Sequence, residues 1–464
     1  MSDFPLKSVF LSGINGAGMS GLARILLEAG VAVSGSDRER VEVSDELLAL
    51  GATIRFEQCA ENLSKESELF IHSAAIRAGH PEYDRAGELG IRRLKYAEML
   101  GELSRLRRTI AIAGTHGKTS TTNMCATMFR AAGAEPSWIV GGTPLGLPAA
   151  SHWGEGQHFI VEACEYDRSF HQLSPEVALL HNIEADHMDY YGTLANLKRS
   201  FREFAELTHG CVVANFDDPL VREAVDGIRV PVLSYGRASD ADVQARRVRL
   251  SEGFVSFDLS ADGSSTHIQP GIPGRTALPN ALAAAAIGIA SGLRPDAIAA
   301  GLSQARSVKR RFELLAEQGS VAIYDDYAHH PTSVRELAAS ARSRFAGRHL
   351  TFIFQAHQYA RLIGFFDEFA QALTGIDRVI IAPTYAARES NVTPGVPERE
   401  LVETLRSRGT NAEFAPSLDA AAALVAMVGM RDQVIFSVGA GDVTKVGHEL
   451  AARLRGLSDR REAA

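Results

Sequence analysis

Thr109-Ile110-Ala111-Ile112-Ala113-Gly114-Thr115-His116-Gly117-Lys118-Thr119-Ser120-Thr121-Thr122 runs from a short apolar stretch through a glycine turn into a hydroxyl-rich helix start. A run of this length bounded by glycine reads as a buried strand of a parallel sheet. In such a turn successive backbone N–H groups surround phosphate oxygens, a lysine reaches the terminal phosphates and a threonine hydroxyl ligates magnesium. Gly114, Thr115, His116, Gly117, Lys118, Thr119 and Ser120 are therefore the candidate phosphate residues of a nucleoside triphosphate. The strict eight-residue phosphate-loop pattern is broken, because Ile112 stands five positions before Gly117. The physical parts remain: strand, glycine turn, and Gly-Lys-Thr at a helix start.

The flanking sequence supplies the hard oxygen ligands that magnesium needs beside phosphates. Phe159-Ile160-Val161-Glu162 reads as a strand ending in an acid, with Glu165 and Asp167 just beyond. Val177-Ala178-Leu179-Leu180 reads as a second buried strand and leads into His181-Asn182-Ile183-Glu184-Ala185-Asp186-His187-Met188-Asp189. Carboxylates and a histidine at the carboxyl ends of parallel strands converge on the edge where the phosphate loop opens.

An earlier strand, residues 8–13, leads into Gly16-Ala17-Gly18-Met19-Ser20-Gly21 and a helix over about 19–29. Glycines at this spacing let the backbone approach a pyrophosphate at a helix N-terminus. The strand over 31–34 ends near Asp37, an acid suited to a ribose hydroxyl. Alone, this loop reads as a dinucleotide dehydrogenase, as another nucleotide or diphosphate site, or as a tight turn. Strand-like runs at 350–354, 378–382 and 434–438, the last entering Gly439-Ala440-Gly441, extend the alternation through the final third. Such alternation predicts parallel α/β architecture. Charged segments at 103–108 and 307–311 each precede a new strand, predicting domains 1–106, 107–308 and 309–464.

Bulk properties narrow the function classes. With Lys+Arg 48 against Asp+Glu 56, the net charge of −8 gives no electrostatic footprint for nucleic acid or an anionic membrane. Cys59, Cys125, Cys164 and Cys211 are scattered without metal or redox spacing and fit a reducing cytosol. The N-terminus lacks a signal-peptide pattern and no apolar run reaches membrane-spanning length, so a cytoplasmic protein is expected, monomeric or homodimeric.

These residues together resemble the Mur ligase family over nearly the whole chain, and in particular its branch that adds the first amino acid. The loop at 13–21 with Ser34-Gly35-Ser36-Asp37, His72-Ser73-Ala74-Ala75-Ile76 and Tyr96-Ala97-Glu98 resemble the family's UDP-sugar domain. Residues 113–122 resemble its ATP loop, and 182–189 with Tyr191-Gly192 its metal-histidine motif. Arg310-Arg311-Phe312, the run 324–332, the run 354–361 and Gly439-Ala440-Gly441-Asp442 resemble its C-terminal domain. The resemblance implies three domains: a Rossmann-like UDP-sugar domain, a central ATPase-type α/β domain and a Rossmann-like C-terminal domain. It implies ATP-dependent ligation of a small amino acid, L-alanine first, to the carboxylate of UDP-N-acetylmuramate, with Mg2+. Its alternatives are a ligase adding a whole tripeptide to the same sugar and a silent nucleotide-binding paralogue.

Residue by residue, the resemblance implies Lys118 on the γ-phosphate and Thr119, Glu162 and His187 on magnesium. Asn280, Arg311 and Asp326 would lie at the nucleotide, and Gly16, Ala17, Gly18, Met19, Ser20, Asp37, Ser73 and Ala74 at the UDP-sugar. Tyr327, His329, His357 and Arg361 would line the amino-acid site, with His329 a candidate base. Four departures stand out. Gln358 replaces a usual arginine beside the incoming amino acid, Ala328 a usual glycine, Thr276-Ala277 a usual His-Asn pair, and Arg388 a usual glycine.

Overall fold

The structure, a computed structural model, describes residues 5–386, 389, 395–428 and 432–462. Arg388 lies outside the described residues. The chain forms two compact units. One runs through Val248 and adds Ser256–Gly271 and Leu278–Arg306; the other holds Arg249–Val255, Ile272–Ala277 and the chain from Ser307.

The first unit contains two sheets. The smaller has the strand order Thr53–Arg55, Ala32–Ser36, Ser8–Ser12, Leu69–His72, Arg92–Lys95, all parallel. The chain winds outward from Ser8–Ser12 in both directions. The crevice between it and Leu69–His72 is thus a topological switch point, where ligands bind in such sheets. The larger sheet has a parallel centre ordered Val232–Gly236, Cys211–Asn215, Val177–Leu180, Arg108–Ala113, His158–Glu162, Ser137–Ile139. Every residue of Val177–Leu180 is buried, as a strand covered on both faces requires. The helix Lys118–Ala131 is buried from Thr121 to Phe129. Gly301, on the helix Pro295–Gln304, allows the close approach of this helix, because a Cβ there would stand 2.7 Å from the Met128 Cα.

The all-parallel expectation fails at the edges. Val243–Ser251, Phe254–Ala261 and Ser264–Ile268 extend the large sheet, the last two pairing antiparallel. In Phe254–Ala261 the buried Val255, Phe257 and Leu259 alternate with half-buried residues, and the two strands beside it are largely exposed, so none gives a continuous apolar run to read.

The second unit holds one sheet, ordered Glu313–Gln318, Val321–Asp326, Gln433–Val438, His349–Phe354, Arg378–Ile381, Asn411–Phe414. Its first pair is antiparallel and the others are parallel. The aromatic core includes Tyr324, Phe352, Phe354 and Phe436. Among the described residues no helix is long and apolar enough to cross a membrane.

Candidate active site

The phosphate loop is shaped by contacts only glycine permits. Gly114 has φ +153°, and a Cβ there would meet His181 Cβ at 2.9 Å. Gly117 has φ +82° and precedes the helix Lys118–Ala131; its Cβ would meet Asn280 Oδ1 at 2.5 Å and His181 Cδ2 at 2.7 Å. The segment after Val177–Leu180 clamps the turn. Thr115 N–H donates to Asn182 O (3.1 Å) and His116 N–H to Asn182 Oδ1 (2.7 Å). The His116 ring pairs with Glu184 at 2.7 Å.

Lys118 folds back over this loop. Its ammonium donates to Gly114 O (2.5 Å) and Thr115 O (3.3 Å) and to both Glu165 oxygens (2.9 and 3.1 Å). Glu165 is 2% exposed. Burial alone would depress the lysine, but the charges of Glu165, Cys164 and Glu162 outweigh it and hold Lys118 above its usual value. Sequence reading named Glu165 but gave it no role; only the fold brings it to Lys118.

Thr119 donates its hydroxyl to Glu162 Oε2 at 3.2 Å, and Gly141 N–H donates to Glu162 Oε1 at 2.5 Å. Thr119 and Glu162 are thus brought together as hard oxygen donors beside the loop, a set that fits a magnesium ion. His187 stands at the start of the short helix Met188–Tyr191 with φ +56°, its backbone N–H on Asp186 Oδ1 at 2.9 Å and its ring 5.0 Å from that of Tyr166. Tyr191 of that helix donates to Glu165 O at 2.5 Å, tying the histidine segment to the Lys118 partner.

Asn280 joins the loop through His181. His181 Nε2 lies 2.9 Å from Asn280 Oδ1, and Nδ1 lies 2.5 Å from the Tyr235 hydroxyl. Burial pushes the imidazole down to about 4, so it is neutral, donating from Nε2 and accepting at Nδ1. The tyrosine partner, 54 positions away, has no local sequence signal.

The first glycine loop borders a cavity of about 320 Å³ at the switch point. Gly16, Ala17, Gly18, Met19, Ser73 and Ala74 line it, together with Lys95, Tyr96, Glu98, Asp167, Ser169 and Gln172. Gly18 permits the close approach of Tyr96, since a Cβ would stand 2.7 Å from its ring. Ser20 turns its hydroxyl to Ala17 O (3.2 Å). Asp37 accepts the backbone N–H groups of Asn15 and Arg38, each at 2.8 Å, so its carboxylate braces the loop.

In the second unit, Asp326 accepts Phe312 N–H (2.7 Å) and Ala328 N–H (2.8 Å), and burial raises its pKa against the pull of Arg311. Arg310 and Arg311 lie over the Tyr327 ring at 5.0 and 5.1 Å. The buried Asp325, overlooked in the sequence, accepts from Arg310 (3.0 Å), Ser437 (2.6 Å) and Thr444 (2.8 Å). His329 lies 5.2 Å from Tyr327 and 6.0 Å from His357, ring to ring. His357 stacks on Tyr385 at 5.6 Å, and Arg361 donates to His357 O at 3.2 Å. Tyr327, His329, His357 and Arg361 thus form one cluster. Ala328 is buried with its backbone outside the left-handed region, so a glycine is not required there.

Two sheets ending in glycine loops, one with a lysine, a threonine and paired acids, define a phosphate-handling α/β enzyme. Family models match it in three blocks: "Mur ligase family, catalytic domain" over residues 10–108, "Mur ligase middle domain" over 112–288 and "Mur ligase, glutamate ligase domain" over 310–441. The chain belongs to the Mur ligase family. Within it, the chain is 38% identical to the UDP-N-acetylmuramate–L-alanine ligase of Chlorobaculum tepidum, covering 96% of this chain and 95% of that one. It is 36% identical to the enzyme of the same name from Burkholderia cenocepacia, covering 97% and 98%. The crystal structure of UDP-N-acetylmuramate-alanine ligase MurC from Thermotoga maritima superposes with a TM-score of 0.81 at 25% identity, covering 97% and 99%.

Proposed function

We propose that this protein joins L-alanine to the lactyl carboxylate of UDP-N-acetylmuramate, with ATP cleaved to ADP and phosphate, in cytoplasmic synthesis of a peptidoglycan precursor. The observation that carries the reading is the Lys118 ammonium over a glycine turn, with the Thr119–Glu162 oxygen pair beside it, in a chain aligned end to end with ligases of that name. The domain limits proposed are 1–106 for the UDP-sugar, 107–308 for ATP and 309–464 for the amino acid, in a monomer or homodimer.

A carboxylate is a poor electrophile. In the proposed reaction its oxygen takes the γ-phosphoryl group, giving an acyl phosphate. Lys118 and the N–H groups of residues 114–120 neutralise charge building on the transferred group. Thr119, Glu162 and His187 would hold Mg2+, which supplies further charge neutralisation. The amine of the amino acid then attacks the acyl carbon, and a tetrahedral intermediate expels phosphate. His329 is assigned to the amine proton: its Nδ1 faces Tyr327 O at 3.0 Å, which sets a tautomer with a basic Nε2. Arg361 is assigned to the amino-acid carboxylate, and Asn280, Arg311 and Asp326 to the nucleotide.

The test is phosphate release from ATP over a panel of UDP-sugars and acceptors. Release that requires both UDP-N-acetylmuramate and a small amino acid supports the reading. Release only with a tripeptide acceptor moves the chain to the recycling branch, and none with any pair rejects catalysis.

A further inference from the structure

Residues 162–172 connect the two glycine loops. The segment begins at Glu162, bonded to Thr119, and continues through Glu165, bonded to Lys118. It ends in the cavity of the first loop, which Asp167, Ser169 and Gln172 help to line. Tyr166 lies between these two ends. Its side chain is 42% exposed although it touches two other rings: His187 at 5.0 Å and Tyr190 at 6.0 Å, centroid to centroid. Tyr190 is 43% exposed and rests edge-on against the buried Tyr191 at 5.0 Å.

Single exposed tyrosines are ordinary. Here two of them cluster with a histidine and are held in place. Tyr191 anchors one side by its bond to Glu165 O, and Asp167 and Arg168 fix the turn after Tyr166 with φ of +52° each. Left-handed backbone at non-glycine residues is costly and persists where the surroundings enforce it. A pre-set aromatic surface loses little entropy when a ligand settles on it.

We infer that Tyr166 and Tyr190 form an aromatic shelf that stacks on the pyranose ring of the sugar substrate as it passes from the first glycine loop to Lys118. The inference rests on the ligase reading above. Tyr166 stands in the chain between Glu165, bonded to Lys118, and Asp167, which lines the first loop's cavity, so a sugar nucleotide with its diphosphate at the 16–19 turn and its acid group at Lys118 would carry its ring beside this segment. The C–H face of a pyranose is apolar and faintly positive, which complements the negative face of an aromatic ring. The phenol hydroxyls leave the shelf rim polar, suited to sugar hydroxyls. Tyr166 and Tyr190 are thus specificity-determining residues for the sugar.

Calorimetric titration of the full-length protein with UDP-N-acetylmuramate and, separately, with UDP tests this. Tyr166→Ala is expected to weaken UDP-N-acetylmuramate roughly tenfold, the scale of one lost aromatic contact and its buried area. Tyr166→Phe keeps the ring and should restore affinity, Tyr190→Ala should lose a smaller factor, and UDP should bind all four proteins equally. In turnover, the alanine variants should raise KM for the sugar substrate by a larger factor than they change kcat or the KM for ATP. Undiminished affinity in Tyr166→Ala, or an equal loss for UDP, overturns the shelf while leaving the ligase reading intact. A wild-type protein that binds UDP but not UDP-N-acetylmuramate overturns the ligase reading itself, and the shelf with it.

Discussion

The Lys118 ammonium and the Glu165 carboxylate meet at 2.9 Å, with the carboxylate 2% exposed and the lysine 17% exposed. This pair occupies the phosphate loop with an internal anion. The phosphates of a nucleotide must take Lys118 from Glu165 and from the Gly114 and Thr115 carbonyls.

Glu165→Gln should therefore separate stability from affinity. Breaking a buried ion pair destabilises by about 3 kcal/mol. The same change removes the competitor for Lys118, so ATP should bind roughly tenfold more tightly, the value of one charge-assisted hydrogen bond. Because Lys118 is held above its ordinary value of 10.5, the stability from the pair is complete below that pH and is lost as pH climbs through the raised value. Glu165→Gln should lack this alkaline loss. Thermal melts from pH 8 to 11, with ATP titrations at pH 7.5, measure both effects. Weaker ATP binding in the variant would mean that Glu165 acts on the bound nucleotide and does not compete with it.

Lys118→Ala should lower turnover by at least about a hundredfold, the usual loss on removing one electrostatic donor from a transition state. Binding of UDP should be unchanged, since the first loop's cavity is lined by other residues. Steady-state phosphate release and a binding titration decide it. Near wild-type turnover would reject the phosphate-loop assignment.

What was legible in the sequence was local. The strand before Gly114 was expected over 109–113 and is observed as Arg108–Ala113; the helix after Gly117 was expected over 118–132 and ends at Ala131. Apolar runs and glycines carry that information within a dozen residues. Thr119 and Glu162 meet because each ends a strand–turn unit on the same sheet edge, a consequence of topology that the alternating pattern already implies. Glu165, Tyr166 and Tyr191 acquire meaning only when the 162–172 segment lies against the helix Met188–Tyr191. Asp326 is named in the sequence only through the family resemblance; adjacent acids on a strand face opposite ways, and the sequence alone does not say that Asp325 is the one that meets Arg310.

His181 predicts an acid limb in stability. Its folded pKa of about 4 lies below the ordinary histidine value of 6.5, so the unfolded chain binds a proton that the folded one refuses. Stability is then complete above pH 6.5 and falls as pH drops toward 4, by about 3 kcal/mol at the lower end. His181→Gln should flatten this limb by about one proton, at the cost of disturbing Asn280 and Tyr235. Urea denaturation at pH 4.5, 5.5 and 6.5 measures the slope. An unchanged slope in the variant would assign the limb to other histidines, such as His72 and His158, which burial also depresses.

Acceptor choice is the last expectation, and it turns on Gln358. This residue opens the helix Tyr359–Gly364 with φ +71°, its N–H bonded to Tyr385 O at 2.9 Å, next to His357 and three residues before Arg361. The amino-acid-adding branch that the chain resembles usually has an arginine there. A neutral amide forgoes a charged partner for the acceptor carboxylate, worth about 1.5–3 kcal/mol. L-alanine should therefore bind weakly, and glycine and L-serine should be used within roughly tenfold of it, the lower end of the roughly 10–200-fold that one methyl or hydroxyl in a small pocket discriminates. Gln358→Arg should lower KM for L-alanine roughly tenfold or more with kcat little changed, because the added contact acts on ground and transition states alike. Competition among the three amino acids in the phosphate-release assay compares native and variant directly. If the native protein already binds L-alanine tightly and strongly prefers it, its carboxylate is met by groups other than residue 358, and the arginine variant should then gain nothing.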